Sequence, residues 1–224
     1  MGGTTVSYQV DPKAAKEAFS KHRSEWSTCE KCDLCKHRLT VVQGNGPVPC
    51  NIAIVGGRPG RKENAQGLPF VGESGDYLDK ILKAARLPRN EVFITNVLGC
   101  RPGAEVTISP GMVTACMQRL YLEIQFVSPV VILAFGQYAA ATLFGKPKLT
   151  LKDVAGVLTP VTIQGQHTPY QVSAIATYPP EYLLRLQEEG KDEYRDLARE
   201  TFRHVCMAID IANEFDRLKE RRKT

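Results

Sequence analysis

Asn51–Gly56 reads NIAIVG, four consecutive apolar residues closed by a glycine. Such a run lacks the polar alternation of a strand with one wet face, as expected of a strand covered on both sides. Three more runs share that character: Val92–Asn96 (VFITN), Val130–Phe135 (VVILAF) and Val172–Thr177 (VSAIAT). The stretches between them carry helical periodicity, and strand–helix alternation of this kind predicts a parallel α/β sheet.

Working outward, Ser74 can cap a helix whose apolar face holds Tyr77, Leu78, Ile81, Leu82 and Ala85, stopped by Pro88. Ser109-Pro110 is a second start signal, after which Met112, Cys116, Leu120 and Ile124 recur every four residues. Gly136 opens a helix directly after its strand, and Pro179-Pro180 opens a short one. A long amphipathic helix then runs through Leu197, Phe202, Val205, Ile209 and Ala212, and another covers Asp11–Trp26 ahead of the sheet. The expected architecture is a three-layer α/β/α sandwich around a four-stranded parallel sheet. We expect one domain over 1–224: an N-terminal helix and cysteine-bearing segment (11–50), a core (51–185) and a C-terminal helix (191–220). In such sheets ligands bind beyond the carboxyl ends of the strands, where the unusual residues of this chain collect.

A length of 224 residues supports one well-buried core, and 43% apolar with 24% charged residues excludes wholesale disorder. The net charge of +5 is compatible with a polyanionic partner without demanding one. Part of it lies in Arg58, Arg61 and Lys62, and part in Lys219, Arg221, Arg222 and Lys223, a run best read as a solvated helix end. No apolar stretch approaches the ~20 residues of a membrane span, and the N-terminus has no apolar signal region. A monomeric cytoplasmic protein with no membrane partner is expected, its seven cysteines reduced.

Cys29-x2-Cys32 and Cys100-x15-Cys116 could bring four thiolates from distant segments to one centre. Spacing alone leaves zinc and a four-iron cluster both open, and Cys35 is a further thiol nearby. Cys116 also lies on an apolar helix stripe, where a buried free cysteine is common. Cys50 and Cys206 read as free thiols.

Val55–Gly72, VGGRPGRKENAQGLPFVG, resembles the signature run of the iron–sulfur uracil-DNA glycosylases, V-G-E-x-P-G-x-x-E-D-x-x-G-x-P-F-V-G. Further matches follow in order. Thr95-Asn96 ahead of Cys100-Arg101-Pro102 is similar to T-N-x-x-x-C-R-P, and Val130–Gly136 to the family's V-I-V-A-L-G segment. Thr177–Arg185 (TYPPEYLLR) is similar to T-Y-H-P-S-Y-L-L-R. The resemblance spans Cys29 to Arg185. It implies a 4Fe-4S cluster on Cys29, Cys32, Cys100 and Cys116, DNA as partner and hydrolysis of a base–sugar bond. It further implies that Phe70 stacks on the extruded base, that Asn96 reads its edge, and that Glu63 is the carboxylate acting on the sugar side. The Arg58, Arg61, Lys62 loop and Arg185 would contact the backbone, with Tyr182, Leu183 and Leu184 as the wedge filling the gap left by a flipped nucleotide.

Two positions depart from that pattern. The family's acid beside the first glycine is Gly57 here, and its histidine before the wedge is Pro179. A pocket relieved of side chains at Gly57 and Pro179 suits a base larger than uracil, such as the glucosylated hydroxymethylcytosine of phage DNA. The family's bacterial anti-phage branch resembles this chain in those departures. Conventional uracil excision, and DNA binding without catalysis, are the competing expectations.

Overall fold

The computed structural model describes residues 11–164 and 169–221; Arg222 and Lys223 of the basic run lie outside them. Eight α-helices and five strands follow one another among the described residues. They are α1 (Pro12–Trp26), β1 (Ile52–Gly56), α2 (Arg61–Gln66), α3 (Glu73–Ala84), β2 (Phe93–Asn96), α4 (Pro110–Val127) and β3 (Val131–Phe135). There follow α5 (Gln137–Leu143), α6 (Leu151–Val154), β4 (Leu158–Ile163), β5 (Tyr170–Thr177), α7 (Pro180–Glu188) and α8 (Tyr194–Arg221).

The four expected strands are present and mutually parallel, in the order β2-β1-β3-β5. The expectation of a four-stranded, all-parallel sheet is corrected by β4, a fifth strand pairing antiparallel with β5. Its sequence, LTPVTI, contains Pro160, whose missing N–H confines it to a sheet edge, and its outward face is wet. On the opposite side, Asn45 exchanges both backbone hydrogen bonds with Ile94 of β2.

Helix starts follow local chemistry. Asp11 caps α1 through Lys13 N, and Ser109 caps α4 through Met112 N, each with proline in the first turn. The expected cap of α3 is corrected: Gly72 stands at that position, and Ser74 lies inside the first turn. The apolar stripe of α8 is also revised. Thr201, His204, Val205, Ala208 and Ala212 face the core, while Phe202 is exposed.

Register aligns Gly56 with Asn96 and Phe135 with Thr177, so the carboxyl ends of four strands form one rim. Under it lies a buried polar network. Arg119 and Glu123, both on α4, form an ion pair at 2.7 Å with side chains 1% and 0% exposed. The Glu123 carboxylate accepts from Thr95 Oγ1 (2.6 Å) and Gly44 N (3.0 Å), and Arg119 donates to the carbonyls of Asn96 and Val97. Breaking a buried pair of this kind by removing one partner typically costs about 3–5 kcal/mol. The network fixes the main chain at the end of β2 and therefore the position of Asn96.

Candidate active site

Gly56, Phe70 and Asn96 converge at the rim. A β-carbon at Gly56 would stand 2.4 Å from Asn96 Oδ1 and 2.7 Å from two ring carbons of Phe70, so only glycine fits between them. Phe70 is held at φ +51°, a left-handed conformation that a bulky side chain rarely adopts. Such strain costs on the order of 1–3 kcal/mol and tends to gather at functional sites. Here Arg89 Nη2 holds the turn by donating to the carbonyls of Pro69 (2.9 Å) and Phe70 (2.8 Å), and Gly75 lets the Phe70 carbonyl approach closely. The ring meets Phe135 edge-on at 6.5 Å. Asn96 is 3% exposed, its amide directed at this junction. The sequence-expected stacking ring and base-reading amide are thus neighbours.

The two departures are filled differently from the sequence expectation. Gly57 does not open into free space: a β-carbon there would lie 3.3 Å from Cδ1 of Tyr138, in the first turn of α5. The Tyr138 hydroxyl is buried with no hydrogen-bond partner among the described residues. Pro179 packs against Gly136, whose β-carbon would lie 3.2 Å from Pro179 Cγ and whose φ of +92° also demands glycine. The room expected at Gly57 is therefore bounded by an aromatic ring.

Glu63 is 6% exposed, and its Oε1 accepts from Val71 N (3.0 Å) and Gly72 N (2.9 Å). Its Oε2 occupies the space that the missing side chain of Gly60 leaves free. With these partners the carboxylate braces the loop after β1 against the Phe70 turn, a positioning geometry. Glu181, in the first turn of α7, is a further acid of the matched run. It is exposed, with Arg58 and Glu63 as charged neighbours. Within that run Glu181 replaces the serine after the second proline.

Arg58, Arg61 and Lys62 are exposed on the loop and on α2, as a phosphate-contacting role requires. The wedge assignment needs one correction. Leu183 is 0% exposed and belongs to the core, because α7 turns that position inward. Tyr182 and Leu184 are half-buried, and the exposed Arg185 lies over the Tyr182 ring at 5.2 Å. Tyr182 also stacks on Tyr178 and donates to Glu193 at 3.0 Å.

The cysteine segments lie beside this rim. Cys32 is within electrostatic reach of Cys29, Cys35 and Cys116, and Cys100 of Cys32 and Cys116. Burial pushes the Cys100 thiol up to about 11, with nearby Arg38 opposing and Cys116 adding. Among the described residues no three Cys, His, Asp or Glu side chains close on a single ion. The surroundings nevertheless suit an anionic sulfur centre, because cations and unpaired donors are among the neighbours of these cysteines. Arg119, with Cys116 and Cys100 among its electrostatic neighbours, has a buried Nε unpaired among the described residues. Tyr138, whose hydroxyl is likewise unpaired, has Cys116 as a neighbour. Arg38 Nη1 already donates to Cys100 Sγ at 3.6 Å. Lys31 ties the N-terminal segment to α4 through Gln118 (2.7 Å). Cys50 is buried and Cys206 half-buried, both with burial-raised thiols.

Residues 43–203 match the family model of the uracil DNA glycosylase superfamily. The chain belongs to that superfamily and is a DNA glycosylase, a hydrolase of N-glycosidic bonds. It is similar to the type-4 uracil-DNA glycosylase of Archaeoglobus fulgidus, 35% identical over 179 residues that cover 77% of this chain and 88% of that protein. The type-4 uracil-DNA glycosylase of Pyrobaculum aerophilum is 36% identical over 173 residues, 76% of this chain and 86% of that protein. That of Thermotoga maritima is 34% identical over 157 residues, 70% and 78% respectively. No helix among the described residues is long and apolar enough to cross a membrane.

Proposed function

We propose that this glycosylase flips a modified pyrimidine out of DNA and hydrolyses its bond to deoxyribose, leaving an abasic site, with a bulky base such as glucosylated hydroxymethylcytosine of phage DNA as the preferred substrate. One observation carries the reading. The Gly56–Phe70–Asn96 junction that would stack and read a base is intact, while both flanking groups suited to uracil are replaced, by Gly57 under Tyr138 and by Pro179 on Gly136. Stacking on Phe70 would contribute ~1–3 kcal/mol and is indifferent to substituents on the far edge of the ring. The Asn96 amide offers one donor and one acceptor to the base edge. Loss of an imidazole donor weakens stabilisation of a departing uracil anion, typically by ~3–4 kcal/mol in barrier. A base with an added sugar can offset part of that through contacts of its substituent.

Cys29, Cys32, Cys100 and Cys116 would hold a 4Fe-4S cluster, the nearby Cys35 being the competitor for one position. A cluster there would tie the N-terminal segment, the loop after β2 and α4 together as a structural pin. Arg58, Arg61, Lys62 and Arg185 would bind phosphates, with Tyr182 and Leu184 pressing into the gap left by the flipped nucleotide. In this reading Glu63 shapes the loop over the base.

A second reading, conventional uracil excision, is favoured by the relatives, which are named as uracil-DNA glycosylases. An abasic-site assay on DNAs carrying uracil, cytosine, hydroxymethylcytosine or its glucosylated form separates the two. Abasic sites are expected in the glucosylated DNA and few in the uracil DNA. Efficient uracil release with no action on the modified DNAs would replace the first reading by the second.

A further inference from the structure

Three consecutive residues at the carboxyl end of β2 are held by one buried arginine. Arg119 Nη1 donates to Thr95 Oγ1 at 3.3 Å, and Nη2 donates to the carbonyls of Asn96 and Val97. The third nitrogen is as close: a β-carbon at Gly99 would stand 3.0 Å from Arg119 Nε. Glu123 Oε1, 2.7 Å away, neutralises the guanidinium, and the arginine side chain is 1% exposed. Sequence reasoning passed over Arg119, because a lone arginine in an amphipathic helix reads as a solvated residue.

Asn96 has little else to aim it. No hydrogen bond among the described residues orients its side-chain amide, whose Oδ1 is confined by packing, 2.4 Å from where a β-carbon at Gly56 would lie. The direction of the amide is therefore set by the main chain that bears it, and Arg119 fixes that main chain at two successive peptides. Burying an ion pair is repaid only by close geometry, and an apolar pair of similar volume is often as stable or more so. What an apolar pair cannot supply is a rigid fork that fixes residues 95–97 together.

We propose that Arg119 is a positioning residue of the glycosylase reaction, holding the Asn96 amide against the edge of the flipped base; the proposal rests on the base-reading role of Asn96 given above. Arg119 touches neither base nor sugar and moves no proton. Its effect falls on the bound complex as the bond to the base breaks, because a reading group displaced by about 1 Å can cost about 10²-fold in rate. DNA affinity, carried by phosphate contacts elsewhere on the rim, is left alone.

Single-turnover excision and equilibrium affinity test this, measured with the full chain on whichever DNA of the four-substrate set the parent cuts. Arg119→Lys keeps a positive charge beside Glu123, but one ammonium cannot span three consecutive residues. It is expected to slow abasic-site formation ~10²-fold while affinity for the same DNA stays close to the parent's. Val205→Ala, a cavity on the buried face of α8, is the control for destabilisation alone. It should lower the melting temperature while excision stays near the parental rate. Should Arg119→Lys fail to fold, Arg119→Met with Glu123→Gln, which leaves an acceptor for Gly44 N and Thr95 Oγ1, is held to the same outcomes. Excision by the Arg119 variant no slower than by Val205→Ala, or a loss that appears in affinity and not in rate, would overturn the positioning role and leave the glycosylase reading standing. A parent protein that cuts none of the four DNAs would sink both.

Discussion

At Gly57 two residues share one space. The sequence reads Gly57 as an opening, because a long acid is missing there, and the structure bounds that opening with Tyr138. A β-carbon 3.3 Å from the ring is tighter than a relaxed contact, so any side chain at 57 must move Tyr138. Gly57→Glu is therefore expected to destabilise the protein by about 1–3 kcal/mol. The cost should shrink when Tyr138→Ala is added, a non-additivity of about 0.5–3 kcal/mol for residues in contact. Equal and additive effects in a thermal-unfolding double-mutant cycle would show that the two do not compete. The same residue explains why the site was half legible from sequence. Phe70 and Asn96 are named by ordered motifs, whereas the close fit of Gly56 between them and the approach of Tyr138 from another element come from tertiary packing. Glu63 was legible as an acid in the loop, but its engagement by two backbone N–H groups was not.

Among the elements, the strands were read correctly wherever both faces are covered, because continuous Val/Ile runs are unambiguous there. β4 escaped notice because an exposed strand with a proline resembles a loop, and α2 because six residues are too few for periodicity to register. α8 carries a pH-dependent element of stability. His204 sits on its buried face, its Nδ1 2.9 Å from Thr177 Oγ1, and burial holds its pKa below the ordinary 6.5. The folded form keeps this imidazole neutral where the unfolded chain is already protonated. The unfolded state therefore binds more protons below about pH 6.5, and stability falls as pH drops through that value toward the folded pKa. His22 on α1, also lowered by burial, acts in the same direction. The melting temperature should decline on acidification from neutrality, and His204→Asn should flatten the decline. An unchanged slope would assign the acid sensitivity elsewhere. The cysteine segments make a separate prediction. Purified protein should be brown, Cys100→Ala or Cys116→Ala should bleach and destabilise it, and Cys50→Ala or Cys206→Ala should keep the colour. A colourless parent carrying one zinc per chain would refute the cluster.

For the whole molecule, the distribution of charge matters more than its total. Arg58, Arg61 and Lys62 stand exposed together beside the base-reading junction, so association with DNA should weaken with salt through counterion release. Replacing Arg58 or Lys62 by Ala should lower the slope of log affinity against log salt by roughly one each, with little change in substrate preference. A slope untouched by both changes would move the phosphate contacts to another face. The sheet has a further consequence for handling so apolar a core. A parallel sheet ends in rows of free amide and carbonyl groups, which can recruit a strand from a second chain and seed aggregation. Here one border is met by the Asn45–Ile94 exchange, and the other by a reversed strand interrupted at Pro160, where no N–H is available to a newcomer. Both borders are thus blunted among the described residues, which leaves an incoming strand few free backbone groups to pair with.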